Sequence, residues 1–439
     1  MGVNIKRESE NVAKKGRHKT DCPLQKAKRH NTRMNKRALR LCPICENVEA
    51  ELLHTQKFVL PEGHPLSKGY DVICCCECGF VYADTSVTQD EYDLFYAKYS
   101  KYEDNKTATG GGETPWDQRR LDETASFISS FLPDRKAGIL DIGCANGGLL
   151  KAFNKIGYTK LFGVDPSPAC VENVRRSGID AQVGSLSDPL NFGLYDCILM
   201  SHVLEHVSNL KGVLSAIYLS IYLSIYPEND KHKTYVYIEV PNATRYNDYV
   251  FAPFQDFNTE HINHFSQRCL ENLMNLSGFT VISKGEKEIE SSPGMPYPAI
   301  YSLSVINDQR QNQLSIAKDG ELVSNIRDYI AKSRTILAKI DNKIQQVLAK
   351  SNRLIIWGTG QLVMKLLAET SLVKADIVAF VDNNPINHGR ILKDTPIISP
   401  EEIGNLPHPI LVTTLLHQKE IAEQIKFLGL SNPVIYLDK

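Results

Sequence analysis

The stretch Gly138-Ile-Leu-Asp141-Ile-Gly143-Cys-Ala145-Asn-Gly147 decides the fold of this chain. The four residues after Gly138 have the apolar character of a short buried strand. Gly143, Ala145 and Gly147 then follow at alternate positions, where small residues let a ligand approach the backbone closely. The stretch therefore predicts a strand that ends in a ligand-binding loop.

The sequence after this loop predicts a helix from Leu149 to Ile156 and a second strand from Leu161 to Asp165. An acid at the end of that strand, about twenty residues after the glycines, is suited to bind ribose hydroxyls. The spacing Gly-x-Ala-x-Gly, with Asp141 two residues ahead, suits a ligand with a cationic end better than a pyrophosphate. The alternative is a Rossmann-like turn without a ligand.

This layout resembles the class I S-adenosylmethionine-dependent methyltransferases. Ala145 departs from their usual middle glycine. Further strands are predicted at 180–183, 195–201 and 235–240, and alternation with helices indicates a mainly parallel sheet. The resemblance implies that S-adenosylmethionine is bound by Asp141, Gly143, Ala145, Gly147, Asp165, Ser185, Leu186 and His202.

The length and composition of this sequence are typical of globular proteins. Its 439 residues suggest about three domains. With 42% hydrophobic residues, 23% charged residues and a net charge of -1, nothing draws the chain as a whole to nucleic acid or membrane. No apolar run reaches about 18 residues and no signal peptide is apparent, so we expect a cytoplasmic protein.

Residues 1–40 carry 13 Lys and Arg against 3 acids and few large apolar side chains. Such a segment cannot bury enough surface to fold alone, so we expect a disordered tail. A nucleic-acid-binding arm is one alternative. An over-long start is another, because Met34 shortly precedes the first motif.

Two CxxC pairs predict a structural zinc site. Six of the 11 cysteines lie between Cys42 and Cys78. Paired knuckles supply the four soft ligands of tetrahedral Zn²⁺, and this closed site leaves no position for catalysis. Cys74 and Cys76 make the ligand choice ambiguous, and a cluster of buried free cysteines is the alternative. The spacing favours Cys42, Cys45, Cys75 and Cys78.

The segments that begin Phe58-Val-Leu-Pro-Glu-Gly-His and Phe80-Val-Tyr-Ala-Asp resemble the sugar C-methyltransferases, in which a small zinc domain precedes the catalytic domain. In that family a tyrosine-rich segment follows, here Tyr92 to Tyr102. The resemblance implies that Tyr96 and Tyr99 line the cofactor or substrate site. One packed helix face is the alternative for these tyrosines.

The segment Glu260-His261-Ile-Asn-His264-Phe-Ser266 resembles the same family, whose histidine is proposed to remove a proton beside a keto group. His261 is therefore the candidate base, with Glu260 to orient it or to polarise the substrate. His264 stands where the family often has tyrosine. Helix capping is the alternative for the histidine, and a metal pair of His261 and His264 lacks a third ligand.

The motif His202-Val-Leu-Glu205-His206 matches the letters of a zinc-protease signature, but no protease scaffold surrounds it. We read it instead as a segment that borders the methyl donor. A duplicated Ile-Tyr-Leu-Ser lengthens the helix around 217–226. Strands at 280–288 and 299–306 close the sheet, and the loop predicted at 291–298 could reach the substrate.

The C-terminal third predicts a long helix at 311–350 and a second Rossmann-like α/β domain. Its turn Gly358-Thr-Gly360, followed by the acid Asp382, is an incomplete nucleotide fingerprint. In the sugar C-methyltransferases a similar domain helps hold a nucleotide-linked sugar. A scaffold or dimerisation domain is the alternative.

The sequence thus predicts an α/β methyltransferase with a Rossmann-like sheet, preceded by a zinc module and followed by a smaller Rossmann-like domain. The predicted ranges are a tail at 1–40, a zinc module at 41–84, a catalytic domain at 85–309, a connecting helix at 310–352 and a last domain at 353–439. We expect a nucleotide-linked sugar as acceptor, no membrane or nucleic-acid partner, and a monomer or homodimer. An RNA methyltransferase and a non-catalytic scaffold are the alternatives.

Overall fold

The computed structural model describes residues 35–99, 113–185, 192, 195–225, 233–292, 294–307, 316–404 and 406–437. Within these ranges the strands form sheets of five, seven and six strands. Residues 1–34 and Leu186 lie outside the description, and so do the predictions made for them. None of the described helices is long and apolar enough to cross a membrane.

The first sheet is antiparallel and carries the cysteine pairs. Its strands lie in the order β1-β2-β3-β4-β10. Helix α1, Gln89–Lys98, follows β4 and begins in a capping box made by Thr88 and Glu91. The strands are β1 Asn35–Arg37, β2 Glu49–Lys57, β3 Gly69–Cys75, β4 Val81–Asp84 and β10 Asn263–His264.

The end of the predicted tail differs from the structure. Residues 35–37 form β1 and pair with β2. Lys36 also lies 2.7 Å from Asp71 of β3 and 2.7 Å from Asp84 of β4. Arg40 donates to the backbone carbonyl of Ser208 at 2.7 Å. The basic composition of residues 1–40 therefore did not predict that Lys36 and Arg40 bind groups that are distant in sequence.

The central sheet confirms the predicted fold class. Its strand order is β11-β12-β9-β8-β5-β6-β7, with β5 to β9 parallel and the β11–β12 hairpin antiparallel at one edge. The strands are β5 Ile139–Ile142, β6 Leu161–Asp165, β7 Asp180–Val183, β8 Cys197–Ser201, β9 Tyr235–Pro241, β11 Phe279–Ser292 and β12 Met295–Ile306. The helices are α2 Pro115–Ser129, α3 Gly148–Lys155, α4 Pro168–Arg176, α5 Leu210–Ile225 and α6 Gln267–Leu276.

The loop predicted at 291–298 is instead the tip of the β11–β12 hairpin, in which Ser292 pairs with Met295. The prolines of this segment suggested a loop. They are tolerated because β12 pairs with β9 only from Ala299 onwards, so Pro296 and Pro298 precede the part of β12 that lies between two strands.

The duplicated segment lies in α5, and its last residue, Tyr226, falls outside the description. A repeat of four residues keeps Ile217 and Ile221 on one buried face. Leu219 and Leu223 are exposed on the other side of the same helix.

The long connecting helix, α7, spans Gly320–Leu348 and begins later than the sequence predicted. The Asp319 side chain caps it by accepting from the Leu322 amide at 3.0 Å, while the Asp319 amide donates to the Cys78 carbonyl at 2.9 Å. Ile326 and Tyr329 pack in the core beneath the first two sheets, and Ile344 packs in the core of the last domain. The helix therefore packs in both cores.

The last domain is a six-stranded sheet in the order β15-β16-β14-β13-β17-β18, parallel except for the β15–β16 pair. Its elements are β13 Arg353–Trp357, α8 Gln361–Glu369, β14 Asp376–Val381, β15 Ile391–Leu392, β16 Thr395–Ile398, β17 Ile410–Val412, α9 Gln418–Phe427 and β18 Val434–Tyr436.

Two glycines with nearly equal backbone angles test the junction between the cysteine pairs and α7. Gly79 has φ +78°, and a Cβ there would lie 2.3 Å from the Asp319 carbonyl oxygen; Gly178 has φ +79° with nothing within 4 Å. We expect Gly178→Ala to cost about 1–2 kcal/mol from backbone strain alone. Gly79→Ala should cost about 1–3 kcal/mol more from the clash. Thermal unfolding of both variants measures the difference, and equal shifts would contradict this account.

Candidate functional site

The four predicted cysteines converge at the end of the first sheet, with their sulfur atoms all within 4.8 Å of one another. The sulfurs of Cys42 and Cys78 are 3.5 Å apart, and those of Cys45 and Cys75 are 3.4 Å apart. Tetrahedral Zn–S bonds of about 2.3 Å require sulfurs about 3.8 Å apart, so the donor set fits zinc.

Each cysteine pair turns in the same way. Glu46 and Gly79 follow the second cysteine of their pairs, and both have positive φ, +62° and +78°. Their amides donate to the carbonyls of Cys42 and Cys75 at 2.9 and 3.1 Å. This tight turn brings both thiols of a pair to one side, as a metal knuckle requires.

The glycine-rich loop lies at the carboxyl end of β5. Gly143 and Gly147 have φ +70° and +75°. A Cβ at Gly143 would lie 2.6 Å from the Val203 side chain, and one at Gly147 would lie 2.9 Å from Val174. Close packing against these side chains therefore requires glycine. Ala145 also has a positive φ, +45°, which costs a residue with a Cβ about 1–2 kcal/mol.

Asp165 is held in place by this loop. Its Oδ2 accepts from the Ala145 amide at 2.9 Å, and its Oδ1 accepts from the Ser167 amide at 2.8 Å. Burial raises the pKa of Asp165 to about 6 despite these bonds. Burial, with the nearby Asp165, raises the pKa of Asp141 to about 8. Two buried acids that are costly to ionise favour a cationic ligand beside them.

His202 follows β8 with φ +56°, between two buried carboxylates. Its Nδ1 is 3.2 Å from Glu205 Oε1 and its Nε2 is 3.3 Å from Glu239 Oε1. Burial alone would lower the pKa of His202, but the two carboxylates raise it to about 9. His202 is therefore an imidazolium at neutral pH and cannot serve as a base.

Glu239, at the end of β9, is completely buried and was not singled out from the sequence. Lys287 lies 2.7 Å from its Oε2, and Arg120 lies 3.5 Å from its Oε1. Burial alone would raise the pKa of Glu239, but Lys287, His202 and Arg120 hold it well below its usual range. These cations lie far apart in sequence, so only the fold reveals the network.

A second group of side chains surrounds His261. The rings of His206 and His261 have centroids 4.9 Å apart, and those of Tyr96 and His206 are 5.6 Å apart. The Glu260 side chain lies 3.5 Å from the Tyr96 hydroxyl, and the Glu260 carbonyl oxygen is 3.0 Å from His206 Nδ1. Glu260 therefore contacts Tyr96 with its side chain and His206 with its carbonyl oxygen.

The other tyrosine and histidine predicted near this site lie elsewhere. The Tyr99 hydroxyl donates to the Gly63 carbonyl at 3.0 Å, and the Tyr99 ring stacks with Arg390. His264 is completely buried, and its Nδ1 is 3.5 Å from the Tyr246 hydroxyl. His261 lines the cavity, whereas His264 does not.

Asp256 is a further acid that the sequence analysis missed. It is almost fully buried; its Oδ1 accepts from the Tyr297 hydroxyl at 2.6 Å, and its Oδ2 has no hydrogen-bond partner among the described residues. Burial raises the pKa of Asp256 to about 7. The aromatic-rich sequence around it carried no signal for such a role.

One cavity of 390 Å³ joins the loop and the histidines. We call its two parts the loop end and the histidine end. The loop end is lined by Asp141, Gly143, Ala145, Asp165, Ser185 and His202. The histidine end is lined by Tyr96, Glu205, His206, Asp256, Asn258, His261 and Tyr297.

In the last domain, the turn at Gly358 is held by its own residues. Gly358 has φ +108°, and the Asp382 carboxylate accepts from the Thr359 amide at 3.1 Å and from the Asn384 amide at 2.8 Å. Gly360 has nothing within 4 Å of the position of a Cβ, so the turn is open on that side.

Comparison with known proteins identifies two parts of the chain. Residues 116–284 match the model of a methyltransferase domain family, and residues 350–436 match the model described as C2185-like, N-terminal. The cysteine pairs lie outside both matched ranges. No curated protein matches the chain.

Several solved methyltransferases are similar to part of this chain. An S-adenosylmethionine-dependent methyltransferase of Methanosarcina mazei is 18% identical, with a TM-score of 0.33, over 42% of this chain and 98% of that one. Magnesium protoporphyrin IX methyltransferase of Synechocystis with bound S-adenosylmethionine is 14% identical, with a TM-score of 0.31, over 43% and 79%. An S-adenosylmethionine-dependent methyltransferase of Mesorhizobium loti is 16% identical, with a TM-score of 0.33, over 42% and 99%.

The raised pKa of Asp141 predicts opposite effects of Asp141→Asn on stability and on ligand binding. The folded protein favours the protonated acid, so the stability of the wild type falls as the pH rises from about 4 to 8. Asp141→Asn removes this loss, so the variant should melt at a higher temperature than the wild type at pH 8 and at nearly the same temperature at pH 4. Its affinity for S-adenosylmethionine should fall about tenfold or more, because a charge-assisted contact is lost.

Thermal unfolding across this pH range and titration calorimetry measure the two effects. Asp122→Asn is the control, because Asp122 pairs with Lys155 on the surface of α2 and should change neither. A variant less stable than the wild type at pH 8, or one that binds the ligand equally well, would show that Asp141 has another role.

Proposed function

We propose that the class I S-adenosylmethionine-dependent methyltransferase domain of this chain methylates a nucleotide-linked sugar at a carbon or an oxygen, with His261 as base. The continuous cavity carries this proposal, because a donor at the loop end would face His261 at the other end. When bound, S-adenosylmethionine supplies an electrophilic methyl group on a sulfonium.

We assign roles to the side chains of the cavity from their charges. Asp141 and Asp165 would hold the cationic and ribose parts of the donor at the loop end. His202 is kept protonated by Glu205 and Glu239, which leaves proton removal to the histidine end. His261 there can accept the proton that a carbon or hydroxyl nucleophile must lose.

A nucleotide-linked acceptor is supported by contacts between the last domain and the segment before His261. Gln361, next to the Gly358–Gly360 turn, donates to the Thr259 hydroxyl at 2.7 Å and accepts from the Thr259 amide at 3.3 Å. A nucleotide at this turn, with Asp382 nearby, would lie close to the histidine end. One acceptor could then reach both places.

We further propose that Cys42, Cys45, Cys75 and Cys78 hold a structural Zn²⁺. Four thiolates close the coordination shell, so the ion would stabilise the first sheet without touching the acceptor. Strand β10 belongs to that sheet and begins two residues after His261. The metal would therefore support the base indirectly.

Substitution of neighbouring cysteines separates metal binding from a general loss of thiols. Cys75→Ser should lose the zinc and melt at a much lower temperature, because structural zinc contributes about 10 kcal/mol or more to folding. Cys76→Ser should keep one zinc after dialysis against a chelator, because Cys76 lies outside the cluster. Elemental analysis and thermal unfolding test this, and equal zinc content in the two variants would contradict it.

The acceptor is tested by incubation with labelled S-adenosylmethionine and a panel of nucleotide sugars, with RNA as a second class of acceptor. We expect label in a nucleotide sugar. Label only in RNA would overturn the acceptor class. Absence of both transfer and donor binding would favour a non-catalytic scaffold.

With an acceptor identified, His261→Ala should lower kcat by about 100-fold or more, as loss of a general base does. The affinity for S-adenosylmethionine should stay unchanged, since His261 lies at the other end of the cavity. His417→Ala, on the exposed surface before α9, is the control. A His261→Ala variant with full kcat would exclude His261 as base.

A further inference from the structure

Three side chains at the histidine end form a cluster that the methyl-transfer proposal does not use as a unit. Glu205, His206 and His261 each offer one ligand atom, and these atoms all lie within 4.8 Å of one another. All three line the cavity. His261 comes 55 positions after His206 in the sequence, so no short sequence motif could predict that the two histidines lie side by side.

The orientation of His206 is fixed in the way that metal-binding histidines usually are. Its Nδ1 is 3.0 Å from the Glu260 carbonyl oxygen, which can only accept a hydrogen bond. Nδ1 therefore carries the proton, and the lone pair of Nε2 points to the other side. That Nε2 is 3.9 Å from Glu205 Oε1. Metal-ligating imidazoles commonly donate their second N–H to a carbonyl or carboxylate.

Glu205 supplies the second, independent observation. Its side chain is 1% exposed, and its Oε2 has no hydrogen-bond partner among the described residues. Its Oε1 already lies 3.2 Å from His202 Nδ1. A buried carboxylate oxygen without a partner is costly, and a cation in the cavity would satisfy it.

We propose that Glu205, His206 and His261 bind one divalent transition-metal ion, with its remaining coordination positions open to the cavity. Two imidazoles and one carboxylate suit Zn²⁺, Co²⁺ or Fe²⁺ better than Mg²⁺ or Ca²⁺. His202 would support the site by holding Glu205 Oε1, which leaves Glu205 Oε2 available to the metal. This nitrogen and oxygen site is chemically distinct from the cysteine cluster, whose ligands are all sulfur.

The site has a consequence for the base proposed above. A metal bound through His261 takes up the lone pair that would accept a proton, so one molecule cannot use His261 in both ways. Metal binding itself does not depend on the identity of the acceptor. The two proposals therefore fail separately.

The test is titration of the full chain with Co²⁺ after dialysis that leaves the cysteine site loaded, followed by calorimetry and visible absorption. We expect one equivalent with the spectrum of nitrogen and oxygen ligands. Glu205→Gln and His206→Ala should each weaken binding by about 100-fold or more, since even loss of a supporting residue costs about 10- to 100-fold. His417→Ala should bind Co²⁺ as the wild type does.

No Co²⁺ binding beyond the cysteine site, or binding that survives both substitutions, would overturn the proposal. Electron spin-echo spectroscopy of the wild type loaded with Cu²⁺ avoids any folding defect of the variants. Coupling to two imidazole nitrogens supports the site, and absence of such coupling refutes it.

Methyl transfer by the Co²⁺-loaded chain then tests the base alone. If the loaded chain is slower than the metal-free chain, His261 acts as the free base. If it is faster, the base assignment is wrong while the metal site stands.

Discussion

The side chain of Asn263 links the segment after His261 to Arg40 and to the turn after β8, which carries Glu205 and His206. Its Oδ1 accepts from Arg40 at 2.9 Å, and its Nδ2 donates to the carbonyls of Leu204 and Val207 at 2.7 Å each. The backbone of the same residue pairs with Tyr82 in the sheet that carries the cysteines. These side-chain bonds are buried or partly buried, so loss of the amide would remove three hydrogen bonds that link segments distant in sequence. The turn with Glu205 and the segment with His261 therefore keep one relative position.

A buried charge at the carboxyl end of β9 is stabilised by partners of opposite charge. Glu239 is tolerated in the core because Lys287 and Arg120 approach it from β11 and α2, and His202 approaches it from the turn after β8. The same arrangement keeps His202 protonated. At the loop end, Asp141 and Asp165 form no ion pair with the described residues, and their pKa values are raised. The cavity thus presents two costly acids at its loop end and two imidazole side chains at its histidine end.

The first and last parts of the chain both contact the segment 254–261, which carries His261. Lys365 of α8 donates to Gln56 of β2 at 2.8 Å and lies over the Phe254 ring. The Gln56 side chain in turn donates to the Phe257 carbonyl at 2.7 Å. Gln361, which lies four residues before Lys365 in α8, donates to the Thr259 hydroxyl. The segment 254–261 is therefore held from both the first and the last domain, which explains how a loop can present His261 in a defined position.

Local sequence determined the inner strands of the central sheet, because buried parallel strands are mainly apolar: β5 and β6 have the predicted bounds. The edge strand β7 also has its predicted bounds, although it is only partly buried. Local sequence also determined the glycine loop and the cysteine pairs, whose chemistry lies within a few residues. It could not reveal the tip of the β11–β12 hairpin, the start of α7, Asp256, or the partners of Glu239. Those features depend on residues distant in sequence, such as Ala299 pairing with Pro241 and Asp319 binding the Cys78 carbonyl. Only tertiary structure decided that His206, and not His264, faces His261, because pairing of β10 with β4 buries one histidine and the turn after β8 presents the other.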